Sequence, residues 1–448
     1  MRFFPHTKED IALMLQDIGI NSVDRLFDQI PPETKIKDEL NFTKSVDEFS
    51  LIKHFKELAK KNIVPDNDNT SFLGAGSYNH FVPEIVPFLS GRSEFTTSYT
   101  PYQPEISQGT LQAIYEYQTL ICRLFETEVA NASIYDGASS LAEAILMALR
   151  ITKRRSIAIS SSVHPLYRQV VKTYLTPLEC EIIELPSSQD GTTDTSKIEN
   201  NKDIAALVVQ SPNFFGCIEN LARVNKVARE NESLAINVFT EPIAYGLIKS
   251  PGSQGADIIC GEGQSFGLPL SFGGPYLGIF ATKQKYVRNM PGRLVGKTKD
   301  KAGKPGFVLT LATREQHIRR ERATSNICTN NNLCALIASI YLASLGGNGL
   351  QTLAKLNYDK SEHLKSGLKK AGYKIPFASS TFNEFVVDMG DNFEEKYKAL
   401  LSKNIVAGLP LKRYYPEMGN YYLMNVTEVV SKKEMDIFMD RLADEVAL

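Results

Sequence analysis

Ser98-Tyr-Thr-Pro-Tyr-Gln-Pro-Glu-Ile-Ser-Gln-Gly109 gathers rigid and polar groups more densely than an ordinary surface loop does. Pro101 and Pro104 fix their own φ and bias Thr100 and Gln103 toward extended backbone, so the segment is stiff. Two tyrosines, a threonine, a glutamine and a glutamate are thereby held just ahead of a helix. That suits one wall of a polar site, and an ordered loop over a sheet edge would use the same residues.

Outward from this rod the chain reads as α/β. Leu111, Ile114, Tyr115, Ile121, Leu124 and Phe125 recur at helical spacing and predict a core stripe. Strand-like runs at Ser156-Ile-Ala-Ile-Ser, Ala205-Ala-Leu-Val-Val-Gln, Leu234-Ala-Ile-Asn-Val-Phe and Asp257-Ile-Ile-Cys-Gly alternate with helical patterns near Leu166 to Tyr174 and Leu221 to Arg229. Such alternation predicts a parallel sheet covered on both faces. Before it lies an arm, residues 1–62, with Thr7 capping a short amphipathic helix that ends at Gly19, a second pattern from Ser22, and a third helix from about Ser45 to Lys61. The large domain is expected over 63–332. A long helix from Leu333, broken at Gly346-Gly-Asn-Gly, leads into a small α+β domain over 333–448, with strands at Glu384 to Asp388 and Tyr421 to Val426.

Composition excludes several function classes. In 448 residues, 50 Lys+Arg face 51 Asp+Glu, a net charge of −1, so no global field recruits nucleic acid or an anionic membrane. Six cysteines lie scattered without a CxxC or a Cys/His cluster, which argues against a metal site or a disulfide framework and fits a reducing cytoplasm. The N-terminus reaches Pro5 and then charged residues before an apolar run can form, so neither a signal peptide nor a membrane span is expected. Gly292-Arg-Leu-Val-Gly296-Lys297-Thr298 imitates a phosphate-binding P-loop, but three residues stand where that loop needs four. His80, after the glycine-rich turn Phe72-Leu-Gly-Ala-Gly-Ser-Tyr-Asn-His, reads as a satisfied polar residue and not as a ligand.

Asp136-Gly-Ala-Ser-Ser leads into a helix through Leu141 to Leu149, so Gly137, Ala138 and Ser139 offer backbone donors at a helix start. Such a terminus holds a phosphate or simply makes a cap.

The stretch Tyr99 to Gly109 resembles the signature of the P-protein of the glycine cleavage system. Similar stretches recur at Tyr135-Asp-Gly-Ala, Gly255-Ala-Asp-Ile, Phe272-Gly-Gly-Pro and Thr313-Arg-Glu-Gln-His-Ile-Arg-Arg-Glu, covering nearly the whole chain. Among that family it is similar to the alpha chain of the two-chain form. The resemblance implies a large domain like that of the fold-type-I pyridoxal phosphate (PLP) transferases, with His164 where a ring stacks on the cofactor and Glu241 near the acid that pairs with the pyridine nitrogen.

One departure governs the functional expectation. The family's catalytic chain carries a lysine, between a histidine and Thr-Phe, that forms the Schiff base with PLP; the matching segment here is Gly263-Gln264-Ser265-Phe266. An amide nitrogen, its lone pair delocalised into the carbonyl, does not attack an aldehyde. Gly137, Ala138, Ser139, His164 and Glu241 are then vestigial cofactor-binding candidates, and Lys249 and Lys283 stand off register for a rescue.

The resemblance implies a cytoplasmic α2β2 glycine decarboxylase whose beta subunit carries PLP and which passes the aminomethyl group of glycine to lipoylated H-protein. This chain is expected to be inactive alone and to lend residues across the interface: Tyr99, Thr100, Tyr102, Gln103 and Glu105 first, then Arg319, Arg320, Thr324, Ser325 and Asn326. The four arginines of Arg314 to Arg322 also suit a solvated helix face. A self-sufficient PLP enzyme and a non-enzymatic scaffold for the beta subunit are the alternatives.

Overall fold

The main sheet runs, edge to edge, Val129–Ala130, Gly278–Thr282, Ile258–Glu262, Leu234–Phe239, Ile204–Gln210, Ser156–Ser160 and Glu181–Leu185. The computed structural model describes residues 5–444 apart from 37, 66–68, 97, 199–200 and 392. Met1 to Phe4, on which the expectation of no leader partly rests, therefore lie outside the described residues.

The five strands from Ile258–Glu262 to Glu181–Leu185 pair in parallel, as in Val208 opposite Ile236 and Ile236 opposite Ile258. The sheet is parallel-rich, as expected, with Gly278–Thr282 running antiparallel to both its neighbours. Direction is not encoded in an apolar run, and the chain reverses between Glu262 and Gly278.

Helices cover both faces. Gly137–Thr152 buries Leu141, Ala144, Ile145 and Ala148 against Ile157, Val208, Ile236 and Cys260. On the other face Gln108–Phe125 sends Tyr117, Ile121 and Phe125 against Phe239, Ile259 and Ile279, together with Ala335, Ala338 and Tyr341 of the helix Asn332–Lys370. Each such large apolar side chain contributes about 1.5–3 kcal/mol. The helix Asn332–Lys370 is long and apolar enough to cross a membrane by length and composition, yet this stripe of it belongs to the core. Gly346 (φ 61°, ψ −179°) is non-helical, so two helices meet across a kink there, at the expected break.

Two elements differ from the sequence reading. Glu181–Leu185 is a sheet strand that the sequence reading leaves unassigned, and the basic excursion around the false P-loop is an antiparallel hairpin, Leu294–Lys299 with Pro305–Thr310. The C-terminal layer pairs Glu384–Asp388, Tyr421–Asn425 and Leu409–Pro410 over a separate apolar cluster that includes Phe72, Leu364, Phe385, Met424 and Phe438.

The chain divides into two compact units, Met1–Ile63 and Val64–Leu448. In the first, Lys8–Ile18 begins with a capping box between Thr7 and Asp10 and ends at Gly19 in the left-handed conformation. Glu48–Ala59 is capped by Asp47, which accepts from the Ser50 N–H at 2.9 Å. Among the described residues neither helix has a buried side chain.

Candidate functional site

The C-terminal ends of the parallel strands deliver Ser161 to His164, Thr240 with Glu241, and Gly263 with Gln264 to one side of the sheet, where open α/β sheets bind ligands. The glycine-rich segment Phe72 to His80 threads through that place. Gln264 is buried, and its amide is spent: Oε1 accepts from the Tyr78 N–H at 2.9 Å, and Nε2 donates to the carbonyls of Tyr78 at 3.0 Å and Leu268 at 2.7 Å. The Tyr78 hydroxyl meets Thr240 at 3.0 Å and donates to Glu384 at 2.8 Å. A flat amide with a donor and an acceptor side by side can pair with one residue's N–H and C=O at once, and an ammonium cannot.

Glu262, which the sequence reading missed, holds the helix start. Its carboxylate accepts from the N–H groups of Gly137 (3.0 Å), Gly263 (3.0 Å), Gln264 (3.1 Å) and Leu277 (2.9 Å). Burial pushes it up to about 8 in spite of those bonds. Ser139 turns its N–H to Asp136 at 2.8 Å, an ordinary cap. A Cβ on Gly137 would come within 2.3 Å of the Tyr167 hydroxyl and 2.9 Å of the Glu262 backbone nitrogen, so the helix start is packed directly against both.

His164 is neutral, because burial lowers it to about 4. Its Nδ1 accepts from the Leu166 N–H, and Nε2 donates to the Ala75 carbonyl at 2.8 Å. A Cβ on Gly76 (φ +95°) would stand 3.1 Å from Cδ2 and Nε2 of that ring, so the Gly76 backbone crowds that side of the imidazole where a cofactor ring would stack.

Glu241 is engaged as well. One of its oxygens lies 2.9 Å from His80 Nε2 and accepts from Asn383 at 3.0 Å, and the other accepts from the Ile243 N–H. His80 Nδ1 reaches Glu428 at 2.8 Å, and all three side chains are at most 9 % exposed. Burial pulls His80 down, but the two carboxylates outweigh it and hold it at about 10, while the cation beside it keeps Glu428 at about 2 against burial. His80 is thus a buried imidazolium that ties Glu241 of the sheet to Glu428 beyond the C-terminal strands.

PLP needs an amine, a free anion cradle, a ring slot and a partner for its ring nitrogen. Gln264, Glu262, Gly76 and His80 each occupy one of those places, and the residues present do not fit the cofactor. The two lysines considered as substitutes are not placed to help. Lys283 is paired with Asp257 at 2.7 Å, at the opposite end of the Ile258–Glu262 strand from Gln264, and Lys249 follows the turn Pro242–Gly246 away from the strand ends.

A second cluster lies in the exposed motif. Tyr99 is 85 % and Tyr102 53 % exposed, and Gln103 and Glu105 are exposed too. Thr100 and Tyr102 turn their hydroxyls to Arg293, at 3.3 and 3.1 Å. The same guanidinium donates to the Cys328 carbonyl at 2.7 Å and to Thr329 at 3.1 Å. The structure therefore joins the Tyr99 to Glu105 segment to the segment after Thr324, through Thr100 and Tyr102, which the sequence reading selected, and Arg293, Cys328 and Thr329, which it did not.

Of the second set, Arg319, Arg320 and Asn326 are exposed. Thr324 gives its N–H to the Arg314 carbonyl, and Ser325 accepts from the Ile327 N–H and faces the buried Glu143, so it is turned inward. Among the described residues no group of three or more His, Cys, Asp and Glu side chains is placed to hold a metal ion, and the six cysteines are unpaired.

Residues 1–442 match the family model for the glycine cleavage system P-protein. The chain is 51 % identical to a probable glycine dehydrogenase (decarboxylating) subunit 1 of Desulfotalea psychrophila over 437 residues, 97 % of both chains. It is 47 % identical to the protein of the same name from Geobacillus sp. over 99 % of both. A crystal structure of glycine decarboxylase (P-protein) of the glycine cleavage system, in inhibitor-bound form, superposes with a TM-score of 0.89 at 39 % identity over 99 % of this chain and 100 % of that one. A NifS-like protein, at 14 % identity and a TM-score of 0.63 over 85 % of this chain and 99 % of that one, shares the fold.

Proposed function

Because the chain belongs to the glycine cleavage system P-protein family, in the role of subunit 1 of glycine dehydrogenase (decarboxylating), we propose that PLP is carried by a partner beta subunit and that this chain is the half without it. The observation that carries this reading is Gln264, buried at the Schiff-base position with its amide bonded to Tyr78 and Leu268. No imine forms on an amide, and the closeness of Gly76 to His164 and the bond of the Gly137 N–H to Glu262 support the same reading.

In the α2β2 assembly, in the cytoplasm, the complex takes carbon dioxide from glycine and passes the aminomethyl group to the lipoyl arm of H-protein. This chain's part is positioning. Tyr99, Gln103 and Glu105, exposed on a stiff segment, line the partner's active site, where the Tyr99 hydroxyl and the Gln103 amide orient the carboxylate of glycine and fixed geometry lowers a barrier. Arg319, Arg320 and Asn326 border the same face, and Thr100, Tyr102, Thr324 and Ser325 shape it from behind.

The test is co-expression with a glycine dehydrogenase subunit 2 followed by a glycine–carbon dioxide exchange assay. The pair exchanges, and this chain alone does not. Exchange by the isolated chain would overturn the reading. A purely supporting role draws on the same closed pocket; it predicts that alanine at Tyr102 and Glu105 weakens assembly and leaves the rate at saturating partner unchanged.

A further inference from the structure

Resting on that reading, we propose that Arg293 is the positioning residue of the partner-facing surface, the group that fixes Tyr99 to Glu105 and the segment after Thr324 as one rigid platform. Arg293 stands at the root of the hairpin Leu294–Lys299 and Pro305–Thr310 and is 4 % exposed. Its nearest opposite charge, Glu315, lies at 3.8 Å, and neither Arg293 Nε nor Glu315 Oε1 has a hydrogen-bond partner. The charge is thus offset at a distance, and the directional bonds go elsewhere.

One terminal nitrogen donates to the Tyr102 hydroxyl and the Cys328 carbonyl; the other reaches Thr100, Thr329 and, at 3.5 Å, Asn330. The guanidinium carbon also sits 5.4 Å from the Tyr102 ring centre. A planar fork with several donors can serve at once a segment 191 to 193 residues away in sequence and another 35 to 37 residues away. Farther along, Gln108 fastens the end of the rod to the same hairpin through both its donor and its acceptor, with Phe307 at 2.9 Å each way. Gln103 and Glu105 lie between the two fastenings, so their freedom is set by them. Three alternatives to positioning are weaker here: the distance to Glu315 does not favour a simple ion pair, the depth excludes a solvated surface arginine, and the contacts with both segments exceed what hairpin stability needs.

The chain has no tryptophan, so Tyr99→Trp supplies a single fluorescent reporter on the rod in the full-length chain. Arg293→Met should lower its steady-state anisotropy, with Arg293→Lys in between because an ammonium serves fewer acceptors. In the complex with subunit 2, without the reporter, Arg293→Met should lower exchange kcat by about tenfold with the KM for glycine changed by less than about threefold, and Arg293→Lys should restore part of the loss. Should Arg293→Met fail to fold, Tyr102→Phe with Thr100→Val removes the same bonds from the exposed side and carries the anisotropy test. Unchanged anisotropy overturns the proposal whatever the rate does. Loosening with an unchanged exchange rate upholds Arg293 as the clamp and overturns the placement of this face in the partner's active site.

Discussion

Around Gln264 the chain answers its own polar groups, whereas around Tyr99 it leaves them for something else to answer. The first region is buried and doubly bonded: the Gln264 amide on Tyr78 and Leu268, Glu262 on four backbone N–H groups, His80 between two carboxylates. The second is stiffened from behind by Arg293 and Gln108, with Tyr99, Gln103 and Glu105 exposed in front. Where the resemblance places a cofactor pocket the chain has internal support, and around Tyr99 it presents an ordered surface.

The contrast is most severely strained at His80. His80→Ala leaves Glu241 and Glu428 facing each other in a buried site and should cost about 3–5 kcal/mol in urea unfolding. A loss under about 1 kcal/mol would mean that the pair needs no cation and that the region is less tightly tied than described.

Gln264→Lys attacks the filled pocket directly. The amine cannot reproduce the paired bonds to Tyr78, and the variant should lose about 2–4 kcal/mol and form no adduct with added PLP after borohydride treatment. An abundant adduct in a stable variant would show that the pocket is open and that only the lysine was missing.

The same region sets the pH response. Burial holds Glu262 at about 8 and Glu384 at about 7, so the folded chain keeps protons that the unfolded chain has released, and their contribution falls as pH rises from about 4.5 through those values. His80, held at about 10, contributes fully below about 6.5 and loses its contribution as pH rises through 10. Glu428, held at about 2, works in the other direction, its contribution present above about 4.5 and lost only as pH falls toward 2. Urea unfolding should therefore show the chain more stable near pH 5.5 than near pH 9, by roughly 2 kcal/mol or more. Equal stability at the two values would place these groups in water.

On the exposed face the effects move from stability to rate. Tyr99→Phe and Gln103→Ala should each change stability by no more than about 0.5 kcal/mol while lowering turnover of the complex about tenfold. Unchanged kinetics for both would remove the segment from the active site.

Much of this was legible in the sequence. The alternating strand runs gave the sheet, Thr7 with Asp10 marked the first helix, and Gln264 stood out against the family's lysine. Other features were hidden for identifiable reasons. Glu181–Leu185 is an edge strand whose apolar run is interrupted by Glu181 and Glu184, and the glycines and lysines of the hairpin disguise its pairing. The partners that define each region are far apart in sequence: His80 meets Glu428 and Arg293 meets Thr100 only through the fold. Glu262 carries no local signal, because a glutamate closing a strand becomes an anchor only when a helix start is brought to it.

The account rests on where the coenzyme is attached. Borohydride reduction of the co-purified complex, followed by proteolysis and mass mapping of both polypeptides, reads this directly. The prediction is a phosphopyridoxyl-lysine in the partner subunit and none in this chain; a reduced adduct on any lysine of this chain would contradict it.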